Sequence, residues 1–144
     1  MIRIVSFVAL LLTGGTAVAQ ERAADGIDAS DRREIAGVIL GQMAAFKAGN
    51  GHAAFAFSAS NVREKFGSPE TFMRIIRESY QPVYNPRSVS FGSLIASPLG
   101  PVQRVFVLDP NAVAYVAYYL MERGGDDRWR IAGCILTPGE EREA

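Results

Sequence analysis

The spacing of apolar residues changes once along this chain, near Ser88, and that change limits the folds open to it. Before Ser88, apolar side chains recur at intervals of three and four, which is the period of an amphipathic helix. From Ser88 onward the period falls to two, which is typical of strands. A chain whose helical half precedes its strand half favours an α+β domain with helices on one face of an antiparallel sheet.

Four strands are predicted in the second half. The segments between them, SPLGP, DPN and GGDD, are short and rich in turn-forming residues. Short links of this kind join antiparallel neighbours, whereas parallel strands need a long crossover. We therefore expect a curved four-stranded antiparallel meander whose strands lie near residues 88–96, 102–108, 112–122 and 129–137.

The first helix is predicted to begin at Asp31. Glu34 follows Asp31 at the spacing of a capping box, in which each side chain accepts a hydrogen bond from the other residue's backbone. A buried stripe comes next, with Gln42 as its one polar member, and the GNG segment at Gly49–Gly51 ends the helix.

Two more helices are predicted before the strands. One runs from His52 to about Ser60, and the other has Ser68 as its N-cap and Pro82 as its stop. The predicted fold is thus three N-terminal helices on one face of the curved meander, as a single domain over residues 31–138.

The first nineteen residues have the pattern of a secretory signal peptide. Arg3 supplies positive charge, residues 4–12 are mostly apolar, and AVA precedes Gln20. The apolar run is shorter than the roughly 20 residues that a membrane-spanning helix needs. We expect cleavage between Ala19 and Gln20, a periplasmic or secreted protein without membrane insertion, and a flexible lead-in over residues 20–30.

Charge and composition narrow the range of partners. The chain has 15 basic and 15 acidic side chains, whereas nucleic-acid binding depends on a concentrated positive surface. One cysteine and one histidine do not make a metal site, and no glycine-rich phosphate loop is present. We expect no nucleic-acid partner, no metal and no cofactor, and a disordered tail over residues 139–144.

The single cysteine, Cys134, is predicted to belong to the core. Strict alternation places Cys134 on one face of the last strand, together with Arg130, Ala132 and Leu136. The opposite face then has Trp129, Ile131, Gly133 and Ile135. No adjacent histidine, lysine or helix N-terminus would stabilise a thiolate, and burial raises the pKa of a thiol. A packed, unreactive thiol is therefore favoured over a redox or nucleophilic one.

Several segments together carry a family resemblance: AAFKAGN, HAAFAF, FGSPETF, YQPVYNPRSVSFG and WRIAGC. Over about residues 31–138 the chain resembles a family of small exported bacterial proteins known only as a domain of unknown function. That family is similar to the cystatin-like superfamily, which includes nuclear-transport-factor-2-like and SnoaL-like proteins. The resemblance implies a cone-shaped α+β fold in which a bent sheet wraps the first helix and often leaves a cavity. It supplies no catalytic residues, and relatives of this fold include both enzymes and non-enzymes.

Five residues are candidates for binding a ligand in such a cavity. The YQPVYNPR segment presents Tyr80, Tyr84 and Arg87 from a backbone restricted by two prolines, and these groups could converge on a polar or anionic ligand. Tyr115 and Tyr119 on the third strand complete the set. The alternative is a rigid connection whose tyrosines simply pack on the sheet.

Two functions follow from this sequence. The first is an exported, non-catalytic domain that binds a small ligand or a protein. The second is a SnoaL-like acid–base enzyme, such as an isomerase, dehydratase or hydrolase, that uses tyrosine and arginine. Acid–base catalysis needs a suitably placed carboxylate or histidine. Most carboxylates here fall in turns or on helix surfaces, and His52 stands at a helix start, so binding is favoured.

Both faces of the third strand are apolar, although a sheet covered on one side normally has polar residues on the other. A soluble monomer seldom leaves such a patch exposed. We therefore predict a homodimer packed sheet to sheet, with Tyr118 or Tyr119 near its centre. Loops and the acidic tail folding over the outer face are the alternative.

Overall fold

A computed structural model describes residues 26–139. The predicted signal peptide, the cleavage between Ala19 and Gln20, most of the predicted lead-in and most of the predicted tail lie outside this range. The described helices precede the strands, which confirms the α+β class. The helices are α1 (Ala29–Lys47), α2 (Gly51–Ala56), α3 (Ser60–Phe66), α4 (Pro69–Ser79) and α5 (Gln81–Tyr84). The strands are β1 (Ser88–Ile95), β2 (Val102–Leu108), β3 (Ala114–Arg123) and β4 (Trp129–Pro138).

The sheet is the predicted antiparallel meander. Its strands lie in the order β1-β2-β3-β4, and every neighbouring pair is antiparallel. The short turns bring each strand back beside the one before it, as their glycine, proline and aspartate residues predict. None of the described helices has the length and apolar character of a membrane span.

The core lies between the helices and one face of the sheet. The side chains of Ile35, Ile39 and Phe46 on α1 are almost fully buried, and α4 adds Phe72. The inner sheet face contributes its alternate residues, as expected for a strand with one covered face. These inner residues are Val105 and Val107 on β2 and Ala117, Tyr119 and Met121 on β3.

A bulge in β4 changes which side chains face the helices. Gly133 and Ile131 pair with consecutive residues of β3, so Ala132 between them has no partner on that strand. An extra residue reverses the alternation of side chains at that point. Cys134 therefore lies on the same inner face as Trp129 and Ile131. The prediction that Cys134 lies opposite Trp129 is wrong for this reason.

Helix α1 begins earlier than predicted. Its N-cap is Asp28, whose side chain accepts a hydrogen bond of 2.8 Å from the Asp31 backbone N–H. Asp31 reciprocates by accepting a hydrogen bond of 3.2 Å from the Asp28 backbone N–H. The predicted capping box is thus displaced by three residues, and Ile27, just before the cap, is buried. One oxygen of Asp31 completes this box, and the other oxygen, Oδ1, accepts hydrogen bonds from distant parts of the fold.

The prediction of three helices is also wrong. In the described residues before β1 there are five helices, which range from four to nineteen residues in length. The predicted second helix ends at Ala56, and α3 begins separately at Ser60. Its N-cap, Ala59, makes no side-chain hydrogen bond, so the usual sequence signal for a helix start is missing. Pro82 does not merely stop α4 but lies in the first turn of α5, where proline is tolerated.

Candidate functional site

A cavity of about 290 Å³ lies between the helices and the inner face of β3 and β4. Helices α1, α3, α4 and α5 all contribute to it, and most of its wall is apolar. Its main apolar residues are Phe46, Val62, Phe66, Phe72, Ile76, Val83 and Ile131. Its polar or titratable residues are Gln42, Ser58, Asn61, Lys65, Tyr80, Tyr119 and Cys134.

Backbone pairing along the edge of β4 positions α3 over this cavity. The Ile131 N–H donates to the Phe57 carbonyl at 2.9 Å, and the Ala59 N–H donates to the Ile131 carbonyl at 2.8 Å. At the second residue of α3, the Asn61 side-chain amide donates to the carbonyl of the bulge residue, Ala132, at 3.1 Å. The segment before α3 is thus fastened to the sheet edge, which leaves α3 across the outer end of the cavity.

Tyr119 is the most unusual residue of the cavity wall. Its side chain is 1% exposed, and its hydroxyl makes no well-formed hydrogen bond within residues 26–139, although the Cys134 thiol lies close enough to interact weakly with it. Burial raises the pKa of Tyr119 well above its ordinary value, and the nearby Cys134 thiol adds to the rise. A buried hydroxyl without a partner costs about 1–3 kcal/mol, so its presence in a native fold requires an explanation.

Cys134 is the cross-strand neighbour of Tyr119. The residue is partly exposed as a whole, packs against the core and lines the cavity. Burial of the thiol raises the pKa of Cys134 to about 12, although the Tyr119 hydroxyl lowers it slightly. The predicted packing of Cys134 against the core is confirmed, its low reactivity stays a prediction, and its position in a cavity wall was not predicted.

Gln42 and Ser58 form a buried polar patch in the wall. Gln42 is 4% exposed, and its amide nitrogen donates to the Ala54 carbonyl at 3.0 Å and to the Ser58 hydroxyl at 3.3 Å. The polar interruption of the α1 stripe was the sequence signal for this patch. Because buried polar groups are normally retained only when they are paired, these bonds fix the orientation of the Gln42 amide.

Two of the five predicted ligand-binding residues, Tyr80 and Tyr119, line the cavity. The structure does not bring Tyr84, Arg87 and Tyr115 to this cavity, so the rim predicted for Tyr80, Tyr84 and Arg87 does not form there. Tyr84 stacks on a core phenylalanine with 5.4 Å between ring centroids, because the QPVY segment is helical and carries it inward. Arg87 is exposed next to the start of β1, and Tyr115 lies farther along β3. Neither of these two lines the cavity.

The exposed end of the cavity, which we call the mouth, is formed by Asn61, Lys65 and Ile135. Ile135 is 65% exposed. The Lys65 ammonium nitrogen lies 5.7 Å from the centroid of the Phe66 ring. Within the described lining, Lys65 is the only residue that is charged at neutral pH.

A second polar cluster joins α1 to the β3–β4 hairpin. The Asp31 carboxylate accepts hydrogen bonds from the Arg123 guanidinium and, at 3.1 Å, from the Trp129 indole. Glu34 accepts a hydrogen bond of 3.1 Å from the Trp129 backbone N–H. Burial alone would raise the pKa of Asp31, but the hydrogen bonds from Trp129 and Asp28 and the charge of Arg123 outweigh it and lower that pKa. This cluster has a structural role, because it lies outside the cavity.

No group of three potential metal ligands occurs within residues 26–139. The outer sheet face holds a wider depression of about 1310 Å³, to which Arg104, Phe106 and Tyr118 contribute. The Arg104 guanidinium lies 5.2 Å from the centroid of the Phe106 ring. Since Tyr119 faces the core, Tyr118 is the tyrosine on the outer face.

The fold and the site together define a small α+β domain with a mainly apolar internal cavity. The chain belongs to the family described as Domain of unknown function (DUF4864), whose model matches residues 28–144. No curated protein and no solved structure matches the chain.

Proposed function

We propose that this domain is an exported binding protein that holds a small, mainly apolar ligand in the cavity. One observation carries the proposal: in the wall of a mainly apolar cavity, the buried Tyr119 hydroxyl makes no well-formed hydrogen bond and has only the weakly interacting Cys134 thiol beside it. Small-molecule sites typically combine apolar walls with a few polar groups that orient the ligand. A ligand oxygen that accepts the hydroxyl proton would remove the cost of leaving that group unpaired.

The titratable groups of the wall favour binding over acid–base catalysis. Burial raises the pKa values of Tyr119 and Cys134, so both groups are protonated at neutral pH and act as hydrogen-bond donors. A general base must be able to accept a proton near the operating pH. The described lining holds neither a carboxylate nor an imidazole. For this reason the SnoaL-like enzyme is not our proposal.

The size of the cavity limits the ligand. A volume of 290 Å³ corresponds to about ten water molecules at liquid density and lies at the small end of small-molecule sites. We propose a ligand of about ten non-hydrogen atoms, with an apolar body and a hydrogen-bond acceptor that can reach Tyr119.

Export and a cone-like architecture are part of this proposal. The pattern of residues 1–19 supports a signal peptide removed between Ala19 and Gln20, which gives a periplasmic or secreted protein. Register shifts in β1 and β4 support a strongly bent sheet around α1, since bulges bend strands. Such a sheet is what a nuclear-transport-factor-2-like relative would have.

The experiment uses octanamide, a neutral compound with an apolar chain of suitable length. Titration of the isotope-labelled protein should shift the backbone amide resonances of Ile131 and Cys134 in a saturable way. Val62→Trp places a large side chain in the cavity and should abolish these shifts. Leu40→Trp is the matched control, because Leu40 is 46% exposed on α1 and lies outside the cavity.

Thermal unfolding of both variants establishes that they are folded. Binding of octanamide by wild type and Leu40→Trp, but not by Val62→Trp, would support the proposal. Absence of binding to wild type, or equal binding by all three proteins, would overturn it.

A further inference from the structure

We infer that the ligand of this cavity is an amphipathic monoanion: its negatively charged head lies beside Lys65 at the mouth, and a second, uncharged acceptor at the buried end of its apolar body accepts the hydrogen bond of Tyr119. This inference rests on the proposed function and specifies the chemical class of its ligand.

The mouth of the cavity is positively charged. Lys65 is exposed, lines the cavity, and forms no salt bridge with any of residues 26–139. Its neighbour Glu64 does not line the cavity, and consecutive helix residues do not face each other. The mouth therefore has an uncompensated positive charge that favours an anionic group over a neutral or cationic one.

The wall of the cavity next to Lys65 is apolar. Phe66 follows Lys65 directly and meets Phe72 edge-on, with 5.3 Å between ring centroids. Val62 and Ile76 add aliphatic surface to the same wall. A ligand head at Lys65 would thus be continuous with an apolar body, and burial of that body supplies most of the affinity.

The cavity has a buried end and an exposed end. The buried groups Gln42 and Tyr119 lie in the wall, whereas the exposed residues Lys65 and Ile135 mark the opening. A head at the mouth keeps part of its hydration, so the carboxylate avoids the large cost of burying an unpaired charge. The limited volume favours a medium-chain or aromatic acid over a long-chain lipid.

The test compares three probes with the same eight-carbon chain: octanoate, octanamide and octylammonium. Calorimetric titration of the wild-type protein at low salt should rank their affinities as octanoate, then octanamide, then octylammonium. Lys65→Gln should weaken octanoate binding about two- to fivefold, the range expected for an exposed ion pair, and should weaken octanamide binding by less. Raising the salt concentration should reduce the advantage of octanoate, because salt screens exposed charges.

Arg63→Gln is the control, since it removes a positive charge from the same helix at a residue outside the cavity lining. It should leave the binding of octanoate and octanamide unchanged. If octanamide binds as tightly as octanoate, or if both variants weaken octanoate equally, the inference fails while the proposed function stands. If none of the probes binds, the proposed function and the inference both fail.

Discussion

The indole Nε1 of Trp129 donates a hydrogen bond of 3.1 Å to a carboxylate oxygen of Asp31, 98 residues earlier in the chain. The same carboxylate binds the Arg123 guanidinium, which lies 4.8 Å from the Trp129 ring centroid. The first turn of α1 is thereby joined to both strands of the last hairpin. Together with the Trp129 backbone hydrogen bond to Glu34, this carboxylate ties the start of the described domain to its last hairpin.

Asp31→Asn should destabilise the domain by about 1–2 kcal/mol. It replaces a charged acceptor with a neutral amide, and hydrogen bonds to charged groups contribute about 1.5–3 kcal/mol, reduced here because Arg123 is 39% exposed. Urea unfolding measures the change. Asp126→Asn, which disrupts the more exposed pair with Arg130, is the control and should have a smaller effect. Equal effects of the two variants would contradict a special role for Asp31.

Acid should weaken the domain partly through Asp31. The pKa of Asp31 is lowered in the folded state, so the unfolded chain takes up the proton first, near its ordinary value of about 3.9. The stability that the carboxylate contributes is therefore complete above about pH 5 and is lost as the pH falls through the folded-state pKa. Urea unfolding between pH 7 and pH 3 should show a smaller loss for Asp31→Asn than for wild type. Parallel curves would show that Asp31 is not the group responsible.

Cys134 should react slowly in the native protein. Burial raises the pKa of its thiol to about 12, so the reactive thiolate is scarce at neutral pH. A chromogenic thiol reagent should label it slowly in buffer and at once in denaturant. Cys134→Ser should keep octanamide binding and cost about 1–2 kcal/mol, because it buries a hydroxyl in a mainly apolar site. Fast native labelling would revive a redox or nucleophilic role.

Tyr119→Phe should leave stability unchanged or raise it, by up to about 1 kcal/mol, because the substitution removes a buried hydroxyl that makes no well-formed hydrogen bond. Tyr119→Ala, in contrast, should cost about 3–5 kcal/mol through the cavity it creates. Chemical unfolding compares the two variants. If Tyr119→Phe alone lost more than about 1 kcal/mol, the hydroxyl would have to be hydrogen-bonded in the native protein.

The outer sheet face remains the predicted dimer interface, with Tyr118 near its centre. Val116 and Tyr118 on β3 and Phe106 on β2 share this face. Sedimentation at micromolar concentration should show a dimer for wild type and for the control Leu40→Glu, whose site is on α1, and a monomer for Tyr118→Glu. A wild-type protein that stays monomeric as its concentration rises would contradict the prediction.

The sequence predicted the sheet more closely than the helices, because the residues that end each strand are easier to recognise than those that begin a short helix. Each strand is bounded by proline, glycine or aspartate turns, which determine both its ends and its neighbour, and β2 begins and ends at the predicted residues. Helix α3 was missed because Ala59 provides no capping side chain and the helix has only seven residues.

The candidate site was harder to predict than the fold. Both faces of β3 are apolar, so alternation alone could not decide whether Tyr118 or Tyr119 faces the helices. Tyr84 was misplaced because the QPVY segment folds as a helix despite its proline. Which groups meet in the cavity depends on tertiary packing of α3 against β4, and the short-range pattern does not encode that packing.

The unpaired residue Ala132 gives β4 one residue more than its pairing with β3 needs. If Ala132 were deleted, Ile131 and Cys134 would be two residues apart, and regular alternation would keep both side chains on the inner face, with Cys134 opposite Tyr119. The deletion would instead remove the local bend of the strand and the carbonyl that accepts the Asn61 hydrogen bond. The extra residue therefore shapes the contact between β4 and α3 without deciding which side chains of β4 enter the cavity.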